Sequence, residues 1–351
     1  MASRRDPVRI GIVGCGEVTG QKHLRVLRDL PEARIVALAD LDAKRLHCVA
    51  ERYAVKHRYQ DVEALLGHPE LEAVGVCVPA HAHAEVAVAA MAAGKHVYFE
   101  KPLALSLEDA DRIIQAASGR RERHLMGFHM RWHRLIRDAR ARIQAGEIGA
   151  VESVRTTWFS PRENDTLPTW RNRRSSGGGA LIEIGVHCFD LWRYLTSAEA
   201  ECLFTVVRHG SREDEAAAVM ARMSDGCVAA GMLSERTSHE IEVEICGARG
   251  RLRVGCQRFD GLESFPPGSA PGQTGIRLQG LRRFVRELPG GLAGMARGGD
   301  YLGSYREAWR HFCRIVRTGE EPECTLADGR RALAIALGAA RSADTGMPVS
   351  L

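Results

Sequence analysis

Val8-Arg-Ile-Gly-Ile-Val-Gly-Cys-Gly16 is a β-branched run that stops in two glycines. Isoleucine and valine suit a buried strand, and glycine lets the backbone turn sharply and approach a ligand closely. A helical pattern follows through Leu30. Strand, glycine turn and helix in succession form the opening of a dinucleotide-binding fold, where backbone N–H groups and the positive end of the helix hold a pyrophosphate. Gly14, Gly16, Glu17 and Val18 make up that turn; Thr19, with Gly20 beside it, stands at the third small position of Gly-x-Gly-x-x-Gly. A second strand, Ala33 to Ala39, ends in Asp40, 24 residues past Gly16, where an acidic residue meets the adenosine ribose hydroxyls. Its charge would repel a 2′-phosphate, which favours NAD; Lys44 and Arg45, one turn on, keep NADP possible.

The alternation continues with helices at Ala43–Tyr53, Val62–Leu66 and Ala82–Ala93 and strands at Ala73–Val78, His96–Phe99 and Leu125–Phe128. Ser106-Leu-Glu-Asp109 reads as a capping box opening a helix through Ala117. Strands alternating with helices give an α/β, doubly wound parallel sheet over residues 1–128. Pro79 and His83 fall in the loop that passes a cofactor at the end of the third strand of this reading. The fourth, His96–Phe99, runs into Glu100-Lys101-Pro102, and proline ends the ladder there. Ligands of open α/β sheets bind beyond the carboxyl ends of the strands, so Lys101 is placed for chemistry. The only lysines are Lys22, Lys44, Lys56, Lys95 and Lys101, in a chain otherwise biased to arginine. A lysine, unlike an arginine, shifts its pKa when buried and acts as a compact donor.

The 351 residues allow two domains, and a net charge of +5 without a basic stripe or recognition motif argues against nucleic acid. Cysteines such as Cys15, Cys77 and Cys188 lie in apolar runs without Cys-x-x-Cys spacing, as expected of reduced core residues in a cytoplasmic protein without a structural metal. Arg4-Arg5 leads into a strand rather than an apolar leader, and no run is long and apolar enough to span a membrane.

Residues 129–351 read as an α+β second domain. A helix over Trp132–Ala145 precedes the strand Val151–Phe159, and alternating runs at Cys202–Val207, Ala216–Met223, Val228–Ser234, Glu240–Cys246 and Arg251–Val254 read as antiparallel strands. After Gly177-Gly-Gly179, a helix from Ala180 to Leu195 sets Glu183, His187 and Asp190 on one face at i, i+4 and i+7. That face fits an imidazole base steered by a carboxylate; it also fits a solvated face, capping of neighbouring strands or a metal site. The loop Ser160–Ser176 carries Arg162, Trp170, Arg171, Arg173 and Arg174, which suit either a clamp on an anionic substrate with an aromatic platform or a solvated or subunit-contacting loop. Residues 255–300 read as a loop-rich insertion, a lid or an oligomer contact, with one short helix at Leu281–Leu288.

The Gly14-x-Gly16 turn, Asp40, Pro79 with His83 and Gly94-Lys-His-Val-Tyr-Phe-Glu-Lys-Pro102 together resemble the glucose–fructose oxidoreductase / inositol dehydrogenase / rhizopine-catabolism (Gfo/Idh/MocA) family of nicotinamide-dependent oxidoreductases. The resemblance continues through Gly127-Phe-His-Met-Arg131, Gly146-Glu-Ile-Gly149, Gly177 to His187 and Asp328-Gly-Arg. It implies an open, mostly antiparallel second sheet whose uncovered face joins subunits into a homodimer or homotetramer. It also implies a catalytic Lys101 and His187, with Glu183 where the family often has aspartate, and Glu100 beside the cofactor. His129 replaces a common asparagine, and Arg134 a frequent proline; with Arg131, Trp170 and Arg171, His129 would line the substrate site. The implied reaction is hydride transfer between nicotinamide and a secondary alcohol or ketone of a sugar, sugar derivative or cyclitol. Two alternatives remain: a sugar hydrolase or epimerase that recycles its NAD internally, and a non-catalytic NAD-binding regulator.

Overall fold

The structure, a computed structural model, describes residues 6–161 and 169–351, without the side chains of residues 169 and 170. Arg4, Arg5, Arg162 and the Trp170 side chain lie outside the described residues. The chain divides into two compact units: residues up to His129 with Tyr305–Leu333, and Met130–Ser304 with Ala334–Leu351.

The first unit runs β1 (Val8–Val13), α1 (Leu24–Leu27), β2 (Ala33–Ala39), α2 (Ala43–Arg52), β3 (His57–Tyr59), α3 (Val62–Leu66), β4 (Ala73–Val76), α4 (His83–Ala92), β5 (His96–Phe99), α5 (Leu107–Ala117) and β6 (His124–Met126). The six strands form one parallel sheet in the order β3-β2-β1-β4-β5-β6. That is the Rossmann order, and its direction of winding reverses between β1 and β4. Three helices start where a polar side chain receives an otherwise orphaned N–H: Asp42 takes those of Lys44 and Arg45, Asp61 that of Ala64, and Ser106 that of Asp109. The His-Arg-Tyr strand β3 is too short and polar to show as a strand in the sequence.

One later segment returns to this sheet. Trp309, Phe312 and Ile315 are fully buried, and the Trp309 indole stacks on Tyr98 of β5 at 4.0 Å between ring centres. Gly75 of β4 makes the room, since a Cβ there would come within 3.1 Å of that indole. Arg317 closes the return with hydrogen bonds of 2.7 and 2.9 Å to Glu72. The first division of the chain falls after His129, and Tyr305–Leu333 packs with the first unit.

In the second unit α6 (Arg134–Gln144), β7 (Val151–Phe159), α7 (Gly179–Glu183) and α8 (Gly185–Thr196) precede β8 (Ala200–Arg208), β9 (Ala216–Met223), β10 (Val228–Ser234), β11 (Glu240–Gly247), β12 (Gly250–Gly255) and β13 (Leu262–Phe265). Then come α9 (Thr274–Met295), α10 (Gly299–Thr318), α11 (Leu326–Thr345) and β14 (Val349–Ser350), with α10 and α11 each crossing between the units. The eight strands lie in the order β13-β12-β11-β7-β10-β9-β8-β14, antiparallel except for β7 with β10. Period-two burial along β7 to β11 sets Val154, Trp158, Val219, Leu233 and Ile245 inward and leaves the other face open.

Two expectations change. The helix expected from Ala180 to Leu195 is interrupted at Ile184, so Glu183 ends α7 while His187 and Asp190 lie on α8. Residues 255–300 are less loop-rich than their Pro-Gly pairs suggest: they hold β13 and the 22-residue α9, with Pro289 inside it.

His124 in β6 gives the fold a measurable pH response. It is buried, and neither ring nitrogen has a hydrogen-bond partner among the described residues. Burial, assisted by the nearby His96, holds its pKa at about 4. The ring is therefore neutral in the folded state at pH values where an unfolded histidine is already charged, so the stability it contributes is complete above about pH 6.5 and is lost as pH falls toward 4. Between pH 7.5 and 5 the wild type should lose roughly 1–2 kcal/mol relative to His124→Leu. Urea unfolding of both proteins across that range is the check; a constant gap would mean that the ring charges freely in the fold.

Candidate active site

Gly14 and Gly16 end β1 beside β4, at the reversal of the sheet. Gly14 has φ +95°, and a Cβ on it would lie 2.5 Å from the Cys77 carbonyl after β4, so the turn closes only with glycine. At Gly16 a Cβ would meet nothing within 4 Å: the space over this turn is open. Glu17 and Val18 begin the helical segment, exposed and half-buried respectively. Thr19 earns its place at the third small position because its hydroxyl donates to the Gly14 carbonyl at 2.6 Å. Asp40 is fixed through both oxygens, Oδ2 accepting from the Cys15 N–H at 2.7 Å and Oδ1 from the Asp42 N–H at 2.8 Å. Each oxygen keeps a second lone pair, enough for a ribose diol. Burial and the Asp40 carboxylate push the Cys15 thiol up to about 12, which leaves it inert beside the turn. Open glycine turn, helix start and pinned acid together fit a dinucleotide.

Residues 19–23 form a π-helical turn, and it turns His23 inward, fully buried. The Trp309 indole N–H donates to His23 Nδ1 at 3.0 Å, and His23 Nε2 lies 2.9 Å from Glu100 Oε1. Glu100 Oε2 accepts the Lys101 backbone N–H at 3.0 Å. Burial opposes charging His23, and the neighbouring Cys77 and Glu100 work against burial. The indole decides the matter: its N–H can be received only by an unprotonated Nδ1, so the ring is neutral and gives its one proton to Glu100. Burial raises the Glu100 carboxyl, and the His23 hydrogen bond outweighs it and holds the group below its usual range. Lys101 is half-buried at the head of this chain of bonds.

His83 is buried, with Nε2 2.9 Å from the Val78 carbonyl and Nδ1 3.3 Å from that of Leu103. It lies between the loop after β4 and the segment after Lys101; burial lowers its pKa, so the neutral ring donates to one of the two carbonyls, and Pro79 is exposed. His129, also buried, stacks on Tyr305 at 4.0 Å.

In the second unit the glycine turn folds back on its own approach: a Cβ on Gly178 would lie 2.0 Å from the Arg171 carbonyl. That return sets Arg171 Nε 3.4 Å from Glu183 Oε1, both side chains buried. His187 lies flat on the Trp158 indole of β7, 4.8 Å between ring centres and 14° from parallel. Arg131 grips Asp190 with Nε on Oδ2 at 2.8 Å and Nη2 on Oδ1 at 2.5 Å. The acid three residues past His187 therefore braces Arg131, which ties the segment before α6 to α8. Arg174 likewise meets Asp344 at 2.8 Å and Asp214 at 2.6 Å, so two of the clustered arginines answer acids of their own unit.

Lys101, Glu100, Gly14, Gly16 and Asp40 thus gather at the strand ends of the first sheet, while Glu183, His187 and Arg171 gather behind the glycine turn of the second unit. His23, Trp309 and Trp158 were not identified from sequence. His23 carries a weak signal, a histidine on the buried side of the first helix; Trp309 carries none, being far along the chain.

A glycine turn at a switch point with an acid closing the next strand defines a dinucleotide-binding oxidoreductase fold. A family model described as an oxidoreductase family with an NAD-binding Rossmann fold matches residues 8–128, and the GFO/IDH/MocA C-terminal domain matches residues 136–253. The chain belongs to the GFO/IDH/MocA family, and its cofactor is NAD. It is similar to a myo-inositol 2-dehydrogenase of Thermotoga maritima, 28% identical over 98% of both chains. It is also similar to a dTDP-3,4-didehydro-2,6-dideoxy-alpha-D-glucose 3-reductase of Saccharopolyspora spinosa, 32% identical over 71% of this chain and 75% of the relative. A dehydrogenase of Bordetella pertussis, solved with NADH and UDP-GlcNAcA, shares the fold with a TM-score of 0.83 at 21% identity, covering 100% of this chain and 99% of the other.

The open space at Gly16 separates binding from folding. Gly16→Ala should unfold with the wild-type urea midpoint, since its methyl meets no atom, yet bind NADH at least tenfold more weakly because the methyl occupies the pyrophosphate's approach. Fluorescence titration of NADH against both proteins is the measurement, and equal affinities would place the dinucleotide elsewhere.

Proposed function

We propose that the protein is an NAD-dependent dehydrogenase that interconverts a secondary alcohol and a ketone on a sugar, sugar derivative or cyclitol, with Lys101 and His187 as its catalytic residues. The observation that carries the proposal is the buried chain from Trp309 through His23 and Glu100 to Lys101, because a surface lysine needs no such support. Relatives of this chain bear the names scyllo-inositol 2-dehydrogenase (NAD(+)) and levoglucosan dehydrogenase, which agrees with a polyhydroxylated ring as substrate. NAD, when bound, supplies a hydride acceptor.

The residues of the chain supply the rest. Gly14, Gly16, Glu17 and Val18 hold the pyrophosphate, Asp40 takes the ribose hydroxyls, and Pro79 with Glu100 shapes the nicotinamide side. His187 accepts the hydroxyl proton as the carbinol carbon is oxidised, its ring plane set by Trp158. The Lys101 ammonium stabilises the negative charge that develops on the oxygen. Glu183, already opposite Arg171, orients His187 and contributes a hydrogen-bond acceptor for a neighbouring hydroxyl. His129 contacts the substrate.

The protein works as a homodimer or homotetramer assembled through the open face of its second sheet, where Phe204, Val206, Met220, Val228 and Met232 are exposed on neighbouring strands. Its compartment is the cytoplasm: the ten cysteines are free thiols. Among the described residues no helix is long and apolar enough to cross a membrane.

His187→Ala should lower kcat about 10²- to 10⁴-fold with NADH affinity retained, measured as NADH formation from NAD and a panel of inositols and aldoses. Full turnover by that variant would remove His187 from the chemistry. Product formation by the wild type without net NADH would instead identify an epimerase or hydrolase that recycles its cofactor.

A further inference from the structure

Helix α9 has two faces with different fates. On one, Arg283 meets Glu263 of β13 at 3.3 Å, Glu287 meets Arg134 of α6 at 3.1 Å, and Gly291 lies against Phe259. That face is docked on its own unit. Turned away from it are Leu278, Leu281, Val285, Leu288, Leu292 and Met295; Leu288 is half-buried, and the other five are between 46% and 61% exposed. Their spacing alternates three and four residues without a break, the a/d seam of a coiled coil, over about 26 Å of helix. An outward apolar seam of that length is unusual on a protein that stands alone. The helix also contains Pro289 and five glycines, Gly275, Gly280, Gly290, Gly291 and Gly294. At roughly 1 kcal/mol for each such glycine and 3 for the proline, intrinsic propensity does not hold it together, so packing must.

The pattern itself says what covers the seam. It is a palindrome about the bond between Arg286 and Glu287: in an antiparallel pair Leu278 falls opposite Met295, Leu281 opposite Leu292, and Val285 opposite Leu288, so every apolar side chain meets another. The flanking charges select the same arrangement. Antiparallel pairing sets Arg277 across from Gly291 and Arg282 across from Ala296; parallel pairing would press Arg277 of each helix against Arg282 of the other. The arginine-rich half of the helix thus meets the uncharged half. We propose that α9 is a self-association surface, which pairs antiparallel with α9 of a second copy of this chain. The contact is isologous and closed, and it is separate from the open face of the sheet. Where both operate, the assembly contains two kinds of two-fold interface, which is the requirement for a tetramer built as a dimer of dimers.

The test uses the full chain with NAD and does not depend on knowing the substrate. Val285→Asp and Leu281→Asp place a charge in the seam at positions exposed in the single chain, so folding, checked by thermal melting, is retained. Light scattering coupled to gel filtration should show each variant with half the subunits of the wild type and unchanged NADH affinity. Register is read separately. A mixture of Leu281→Cys and Leu292→Cys proteins, treated with copper–phenanthroline as oxidant, should form a disulfide-linked dimer that neither variant forms alone. An unchanged subunit number, a wild type that is already monomeric, or cross-linking of Leu281→Cys with itself would overturn the proposal. So would wild-type binding to phosphatidylglycerol vesicles that the aspartate variants lose while their mass stays constant, since the seam would then serve a membrane surface.

Discussion

A single indole N–H determines the state of the first half of the candidate site. Trp309 lies some three hundred residues from His23 in the chain, yet its hydrogen bond fixes which nitrogen of His23 carries the proton. With Nδ1 occupied as an acceptor, Nε2 must donate, and it lies 2.9 Å from Glu100 Oε1. Glu100 in turn has its second oxygen engaged by the Lys101 backbone. The consequence is a carboxylate held ionised in a buried place, one residue from an ammonium. A charged neighbour of that kind favours the protonated lysine, which is the form that stabilises an oxyanion. Removing the indole would free Nδ1 to take a proton and turn a neutral brace into a charged one.

The same dependence explains why the chain leaves the first sheet and comes back. The parallel sheet alone has a gap over β4 and β5 where Gly75 and Tyr98 meet. Trp309 fills it, stacked on Tyr98, and Tyr305 on the same helix meets both His23 and His129 ring to ring. A dinucleotide fold cut at residue 128 would lack this layer. The second unit is therefore inserted, in effect, between the sixth strand and the helix that completes the first unit.

The parts of this arrangement that sequence reveals are those governed by local rules. Gly14, Gly16 and Asp40 are legible because a strand, a turn and a helix dictate their spacing, and Ser106 because a helix start requires a cap. Lys101 stands out as the last lysine in an arginine-rich chain. Glu183 and His187 are visible as a pair, but the break at Ile184 is not, since both segments are apolar and no proline or polar run marks it. Arg131 is legible only through the family resemblance; its partner Asp190 is 59 residues away and becomes apparent only once α8 is in place. Trp158 beneath His187, and Trp309 above His23, belong to the same category: contacts made by tertiary packing carry no spacing signal.

The open face of the second sheet is divided between charged and apolar strands. Across β7, β11, β12 and β13 the register sets Arg155 beside Glu244, Glu244 beside Arg253 and Arg253 beside Glu263, a row of alternating charges on adjacent strands. Cross-strand pairs of opposite sign stabilise a solvated face modestly and tolerate water. From β10 to β8 the register brings Ala230, Met220 and Phe204 into one line, and Met232, Ala218 and Val206 into the next, with no charge in either. The boundary falls between β7 and β10, the one parallel pair in the sheet. A second copy docking by a two-fold axis would cover the apolar third most cheaply if the ion-paired strands stayed at the rim, where each carboxylate keeps its arginine and loses little water. The charged row continues through Glu263 to Arg283, 3.3 Å away, which ties α9 to the same edge of the sheet.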